Sequence, residues 1–218
     1  QFHRAAEVLS TALPGGRALP EPFPGFDDRY GREILVRSGE LECDLHRTFI
    51  SGYYGLVIPV AELFASSEAI VLAGRELPAL SAVHRLLHSA IAAAVGDMQP
   101  RLSAARDLVQ LLSLATDEQA AEVIGTAARW RCTSLVAAGV ATVSDWPGEP
   151  RSTLLGEWAA AHRPGLGSRL LQRAYHSGYR GPLVSASGVL APLGPLGRVR
   201  YAVGITRQTL VSLRQRRS

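Results

Sequence analysis

The chain predicts an α+β fold, a small β-sheet with a flanking helix followed by a mainly α-helical domain, and three observations carry that prediction. Short β-prone runs at residues 33–37 and 41–47 meet across Ser38-Gly39-Glu40, which has the length and chemistry of a hairpin turn. Beyond Ser81, residues 81–95, 101–114, 117–129 and 133–143 each carry apolar residues at helical spacing. Ahead of both, Phe2, Ala5, Ala6, Leu9 and Leu13 describe an amphipathic helix that Pro14-Gly15-Gly16 ends.

The elements between these follow from local chemistry. Residues 19–26 alternate Pro20, Pro22 and Pro24 with acidic and aromatic side chains, a pattern that supports neither a ladder nor a helix and reads as a connecting loop. A second hairpin is expected at 69–72 and 76–80, turning at Gly74. Asp97–Pro100 and Thr116 break the helical half, and Ser103, Thr116 and Thr133 stand at or within a turn of helix starts. Residues 145–150 read as a Pro/Gly linker, 152–162 and 166–176 as two further helices, 178–197 as a looser Gly/Pro-punctuated stretch, and 206–217 as a final helix. There is no internal repeat.

A chain of 218 residues is long enough to bury a core without disulfides or metals. No apolar run approaches the roughly 18 residues of a membrane-spanning helix, and the first residues show no signal-peptide pattern, so the expectation is a cytoplasmic protein without a membrane partner. Cys43 and Cys132 are too few for a disulfide scaffold or a zinc motif and read as reduced core thiols. All 23 basic residues are arginine, which excludes a lysine nucleophile and is a bias of the kind GC-rich, bacterial-like genomes produce. The net charge of +4 is modest. Only Arg207 to Arg217 concentrates it, as a solvated helix end or as a contact for phosphate or RNA.

The run Leu41-Glu42-Cys43-Asp44-Leu45-His46-Arg47 carries the chemistry. Alternation sends Glu42, Asp44 and His46 to one face and Leu41, Cys43 and Leu45 to the other. Two acids and an imidazole on one face suit a metal or phosphate site; the same pattern suits a solvated strand face, and spacing alone does not choose.

Together with Phe2-His3-Arg4-Ala5-Ala6-Glu7-Val8-Leu9 and Gly25-Phe26-Asp27-Asp28-Arg29-Tyr30 upstream, this run resembles the uncharacterised nucleotidyltransferase family of the polymerase-β superfamily, whose strand motif is hydrophobic-Asp-Leu-His followed by Trp or Arg. Leu86-Leu87-His88-Ser89-Ala90, Arg101-Leu102 and Arg106-Asp107-Leu108 are similar to that family's helical half, so the resemblance spans about residues 2–145. It implies a small mixed sheet, a partial nucleotidyltransferase core lacking its first strand at 1–80, a helical domain at 81–145 and a helical or irregular extension at 146–218.

It further implies transfer of a nucleoside monophosphate from a nucleoside triphosphate, ATP in the first instance, to a hydroxyl acceptor on a small molecule, peptide or protein. Nucleic acid is the less favoured acceptor. Three carboxylates would hold two Mg2+ ions, oxygen ligands being what that hard cation takes. Asp44 matches the third carboxylate, catalytic and metal-ligating; Glu42, His46 and Arg47 are nucleotide-side or supporting candidates, although strict alternation turns Arg47 away. In the helical half His88, Arg101, Arg106 and Asp107 are candidates for nucleotide or acceptor contacts, or else for helix-to-helix hydrogen bonds and surface ion pairs. Where the family has a second helix His one turn on, this chain has Ala92, which weakens a metal reading of that helix.

The family's other two carboxylates lie in an Asp-x-Asp strand that would precede residue 1. The expectation is a fragment of a longer enzyme, inactive by itself; the alternative is a truncated, non-catalytic module that binds protein, peptide or RNA. Asp27 and Asp28 follow the first helix, in the wrong order for that strand. No Gly-x-Ser-x-Gly elbow, P-loop or dinucleotide fingerprint occurs.

Overall fold

The computed structural model describes residues 2–18, 21–31, 33–95, 102–144, 154–176 and 180–215, and the fold is α+β. The chain forms two compact units, one of Gln1–Ile58 with Tyr179–Ser218 and one of Pro59–Gly178. The sequence-based expectation set boundaries near 80 and 145; the observed division instead gives the second hairpin to the helical unit and returns the C-terminal helices to the sheet unit.

In the first unit, helix α1 (Phe2–Ala12) precedes strand β1 (Arg17–Ala18), a short helix α2 (Phe26–Arg29), strands β2 (Glu33–Ser38) and β3 (Leu41–His46), and helix α3 (Gly52–Val57). The sheet runs β1-β2-β3 and every pairing is antiparallel. This corrects the expected mixed sheet: a parallel pair needs a crossover of a dozen or more residues, whereas β2 and β3 are joined by the tight turn at Gly39, whose φ of 60° an L side chain rarely adopts. Helix α1 covers one face of the sheet because its apolar stripe, centred on Ala6, meets Ile34 and Val36, with Phe2, Leu9, Leu13 and Leu45 around them.

The expected loose stretch at 178–197 is ordered where it is described. Helix α11 (Arg180–Ser187) leads through a 3-10 turn (Gly188–Leu190) into helix α12, which spans Pro195–Gln215 and so begins well before the expected residue 206. Pro195 sits at the first helical position, where its missing N–H costs nothing. A second core forms here from Phe26, Tyr30 and Tyr201, with Phe26 to Tyr30 and Tyr30 to Tyr201 centroids 5.4 and 5.6 Å apart. Gly204 permits it, since a β-carbon there would overlap the Phe26 ring.

The second unit opens with helix α4 (Val60–Ala65) and the antiparallel hairpin β4 (Glu68–Leu72) and β5 (Arg75–Ala79). Helices α5 (Ala82–Val95), α6 (Leu102–Leu114), α7 (Asp117–Arg129), α8 (Thr133–Thr142), α9 (Leu154–Ala161) and α10 (Leu166–His176) follow. Helix α8 is buried along nearly its whole length and packs against α5. Thr116 caps α7 in a capping box with Gln119. The expected linker at 145–150 and Arg101 lie outside the described residues. No helix among the described residues is long and apolar enough to cross a membrane.

Candidate functional site

Pairing of β2 with β3 determines which side chains share the open face of the sheet. The register sets Glu33 against His46, Leu35 against Asp44 and Arg37 against Glu42, on the face opposite Ile34, Val36 and α1. Glu42, Asp44 and His46 are exposed while Cys43 and Leu45 are half-buried, as alternation requires.

The groups on this row differ in what holds them. Arg37 Nε donates to Glu42 Oε1 at 2.8 Å. His46 Nε2 lies 3.8 Å from Glu33 Oε2, an ion-pair separation beyond hydrogen-bond length. Asp44 faces an apolar side chain, and no described residue gives its carboxylate a hydrogen bond or ion pair.

At the Glu33–His46 end the row meets a cleft of about 200 Å³ whose walls include Tyr30, Glu33, Arg47, Ser51 and Tyr201. Residues on one strand face recur about every 7 Å, so Asp44 stands one such step from His46, the residue paired with the cleft-lining Glu33. Arg47 follows the end of β3 and braces backbone instead of joining the carboxylate row. Its Nε donates to the Gly31 carbonyl at 2.6 Å, and Nη2 to the Gly55 carbonyl at 3.5 Å. Burial lowers its pKa, opposed by the charges of Asp28 and Asp27.

The helical candidates are dispersed over their own unit. His88 is exposed on α5, and Arg106 and Asp107 are exposed on α6 and pair with each other at 2.7 Å. Such an exposed pair contributes little to stability. Among the described residues of this unit the buried imidazole is His84, 4% exposed and stacked on Trp130.

A second constellation has no counterpart in the sequence reading. His3 on α1, Glu21 in the proline-rich loop and Asp27 on α2 present ligand atoms within 4.8 Å of one another. Asp27 is 5% exposed, and neither its Oδ1 nor His3 Nδ1 has a hydrogen-bond partner among the described residues. Burial, then the Glu21 charge, pushes the Asp27 carboxyl up to about 6. Asp28 behaves oppositely: the His3 backbone N–H donates to its Oδ1 at 2.9 Å and holds it below the usual carboxylate range. No periodicity links positions 3, 21 and 27; the packing of α1 beside α2 brings them together, so the Asp27-Asp28 dipeptide is the only sequence signal.

No family model, curated protein or solved structure matches the chain.

Proposed function

We propose that the sheet unit belongs to a metal-dependent nucleotidyltransferase, with Asp44 as one of its metal-binding carboxylates. The observation that carries the reading is the open face of β3, where Asp44 is exposed without a partner among the described residues, one strand step from the pair that borders the cleft. The order of motifs along residues 2–145, which resembles the uncharacterised nucleotidyltransferase family, supports the same reading.

The donor chemistry fits magnesium, because an exposed carboxylate with spare lone pairs suits a hard divalent cation. Such an ion, when bound, lowers the pKa of an acceptor hydroxyl. Glu42 serves by balancing Arg37, which keeps that guanidinium beside Glu42. His46 Nε2 lies 3.8 Å from Oε2 of the cleft-lining Glu33. In this reading the cleft receives the acceptor, with Glu33 and Ser51 as polar groups on its wall.

The test is transfer of label from each of the four nucleoside triphosphates, with Mg2+, to hydroxyl acceptors, by the polypeptide of the complete reading frame and by its Asp44→Asn variant. Labelled product that falls to background in the folded variant supports the proposal. Absence of product from the intact protein, or undiminished transfer by Asp44→Asn, overturns it in favour of a non-catalytic module that binds protein, peptide or RNA.

A further inference from the structure

We infer that His3, Glu21 and Asp27 form a binding site for a divalent transition cation of the zinc class, separate from the Asp44 row. Asp44 lies on the open face of the sheet, whereas α1, which carries His3, covers the opposite face.

The cluster has the donors such a site needs. An imidazole nitrogen and two carboxylates form a mixed N/O set that zinc and its neighbours accept and that magnesium, which prefers all-oxygen shells, does not favour. Their ligand atoms fall within 4.8 Å of one another. Ligands about 2.0–2.1 Å from a tetrahedral ion stand roughly 3.4 Å apart, so closure requires an inward shift of the half-buried His3 or Glu21 side chain.

Burial supplies the second argument. A carboxyl as enclosed as that of Asp27 is costly without a partner, yet its Oδ1 receives no hydrogen bond from any described residue. His3 Nδ1 is likewise buried and unpaired, while Nε2 lies 3.8 Å from Glu7 Oε1. The neutral imidazole with its proton on Nε2, the edge toward Glu7, offers the Nδ1 lone pair to a cation.

Glu21 is already placed. Its Oε1 accepts from the Gly25 N–H at 3.0 Å and its Oε2 from the Asp27 N–H at 3.2 Å. These bonds fix the loop and use two of about four lone-pair sites, leaving others for a cation. Arg47 directs its guanidinium to the Gly31 and Gly55 carbonyls, so it does not stand in for a cation at Asp27.

The experiment is calorimetric titration of chelator-stripped full chain with Zn2+, with Mn2+ and Mg2+ in parallel, on the parent and on Asp27→Asn, Glu21→Gln and Asp44→Asn. The expected result is one equivalent of Zn2+ bound at micromolar or tighter Kd, weakened at least tenfold in Asp27→Asn and Glu21→Gln and unchanged in Asp44→Asn. Any heat with Mg2+ should be unaffected by Asp27→Asn and Glu21→Gln. Thermal unfolding with and without Zn2+ reads the same site through stability, and the partly exposed Glu21 keeps the test intact if Asp27→Asn does not fold. No saturable Zn2+ binding, binding indifferent to both Asp27→Asn and Glu21→Gln, or binding lost only in Asp44→Asn overturns the inference.

Discussion

Asp44 stands directly across the β2–β3 ladder from Leu35, so the carboxylate faces an apolar cross-strand neighbour while the pairs on either side, Glu33 with His46 and Arg37 with Glu42, set an acid against a nitrogen side chain. Such a neighbour gives the carboxylate nothing in return for its charge. Asp44→Asn should therefore leave unfolding free energy within about 0.5 kcal/mol of the parent, as for other exposed changes that break no partner. Urea denaturation followed by circular dichroism checks this. A loss above about 2 kcal/mol would assign Asp44 to the fold and remove the basis for reading it as a ligand.

Glu62 joins α4 to the end of α7 through two unequal bonds. Its Oε2 accepts from the Trp130 indole N–H at 3.0 Å, and its Oε1 accepts from Arg129 Nη2 at 2.8 Å. Trp130 is 2% exposed whereas the Arg129 side chain is largely exposed, so the indole bond carries the greater consequence. Glu62→Ala should cost about 1–3 kcal/mol by leaving a buried donor unpaired. Arg129→Ala should cost at most about 1 kcal/mol, as an exposed ion pair does. Denaturant midpoints of the two variants should fall in that order; equal losses would show that the ion pair, not the indole, holds α4.

What the sequence made legible in this fold is what short-range chemistry controls. Thr116 announces α7, Gly39 and Gly74 announce the two hairpins, and alternation orders the faces of β3. Helices α3 and α4 carry no comparable signal: each is six residues long, and Gly52, Gly55 and Pro59 read as loop punctuation. Gly52 and Gly55 are instead sites of close approach, where a β-carbon would overlap the carbonyl oxygens of Val184 and Ile50. The site divides the same way. The Asp44 row follows from one strand, whereas the His3–Glu21–Asp27 cluster joins segments whose proximity depends on tertiary packing.

His84 makes the helical unit sensitive to mild acid. Its ring is stacked on Trp130 at 5.3 Å and its Nδ1 lies 3.0 Å from Ser66 Oγ and 3.2 Å from Ser81 Oγ. Burial lowers its pKa below 6.5; the charges of Glu62 and Glu122 oppose that and Arg129 adds to it. The native state thus binds fewer protons than the unfolded chain once the unfolded imidazole begins to titrate. Its contribution is fully present above about pH 6.5 and declines as pH falls below that toward the folded pKa. Glu62 is held below the usual carboxylate range, first by the Trp130 indole, so its own contribution is lost only further into acid. Denaturant midpoints between pH 7.5 and 5 should fall more steeply for the parent than for His84→Gln. Parallel slopes would show that the imidazole is as readily protonated folded as unfolded.

Gly139 and Gly125 both lie inside helices of the second unit and should respond to alanine with opposite sign. Helix interiors favour alanine over glycine by about 0.5–1 kcal/mol, chiefly through the entropy of the unfolded backbone. At Gly125 on α7 a β-carbon meets only Arg129 Nη1 at 3.9 Å, the movable end of a long side chain, so Gly125→Ala should gain stability of about that size. At Gly139 on α8 the same atom would overlap the backbone carbonyl oxygen of Ala90 on α5. Backbone in a packed helix pair cannot retreat as a side-chain tip does, so the helices must separate and the propensity gain is outweighed by a loss of about 1–3 kcal/mol or more. Urea denaturation of the two variants separates the effects: a raised midpoint for Gly125→Ala and a lowered one for Gly139→Ala is expected. A stabilised Gly139→Ala would mean that α5 and α8 approach less closely than their shared Ala90–Gly139 contact requires.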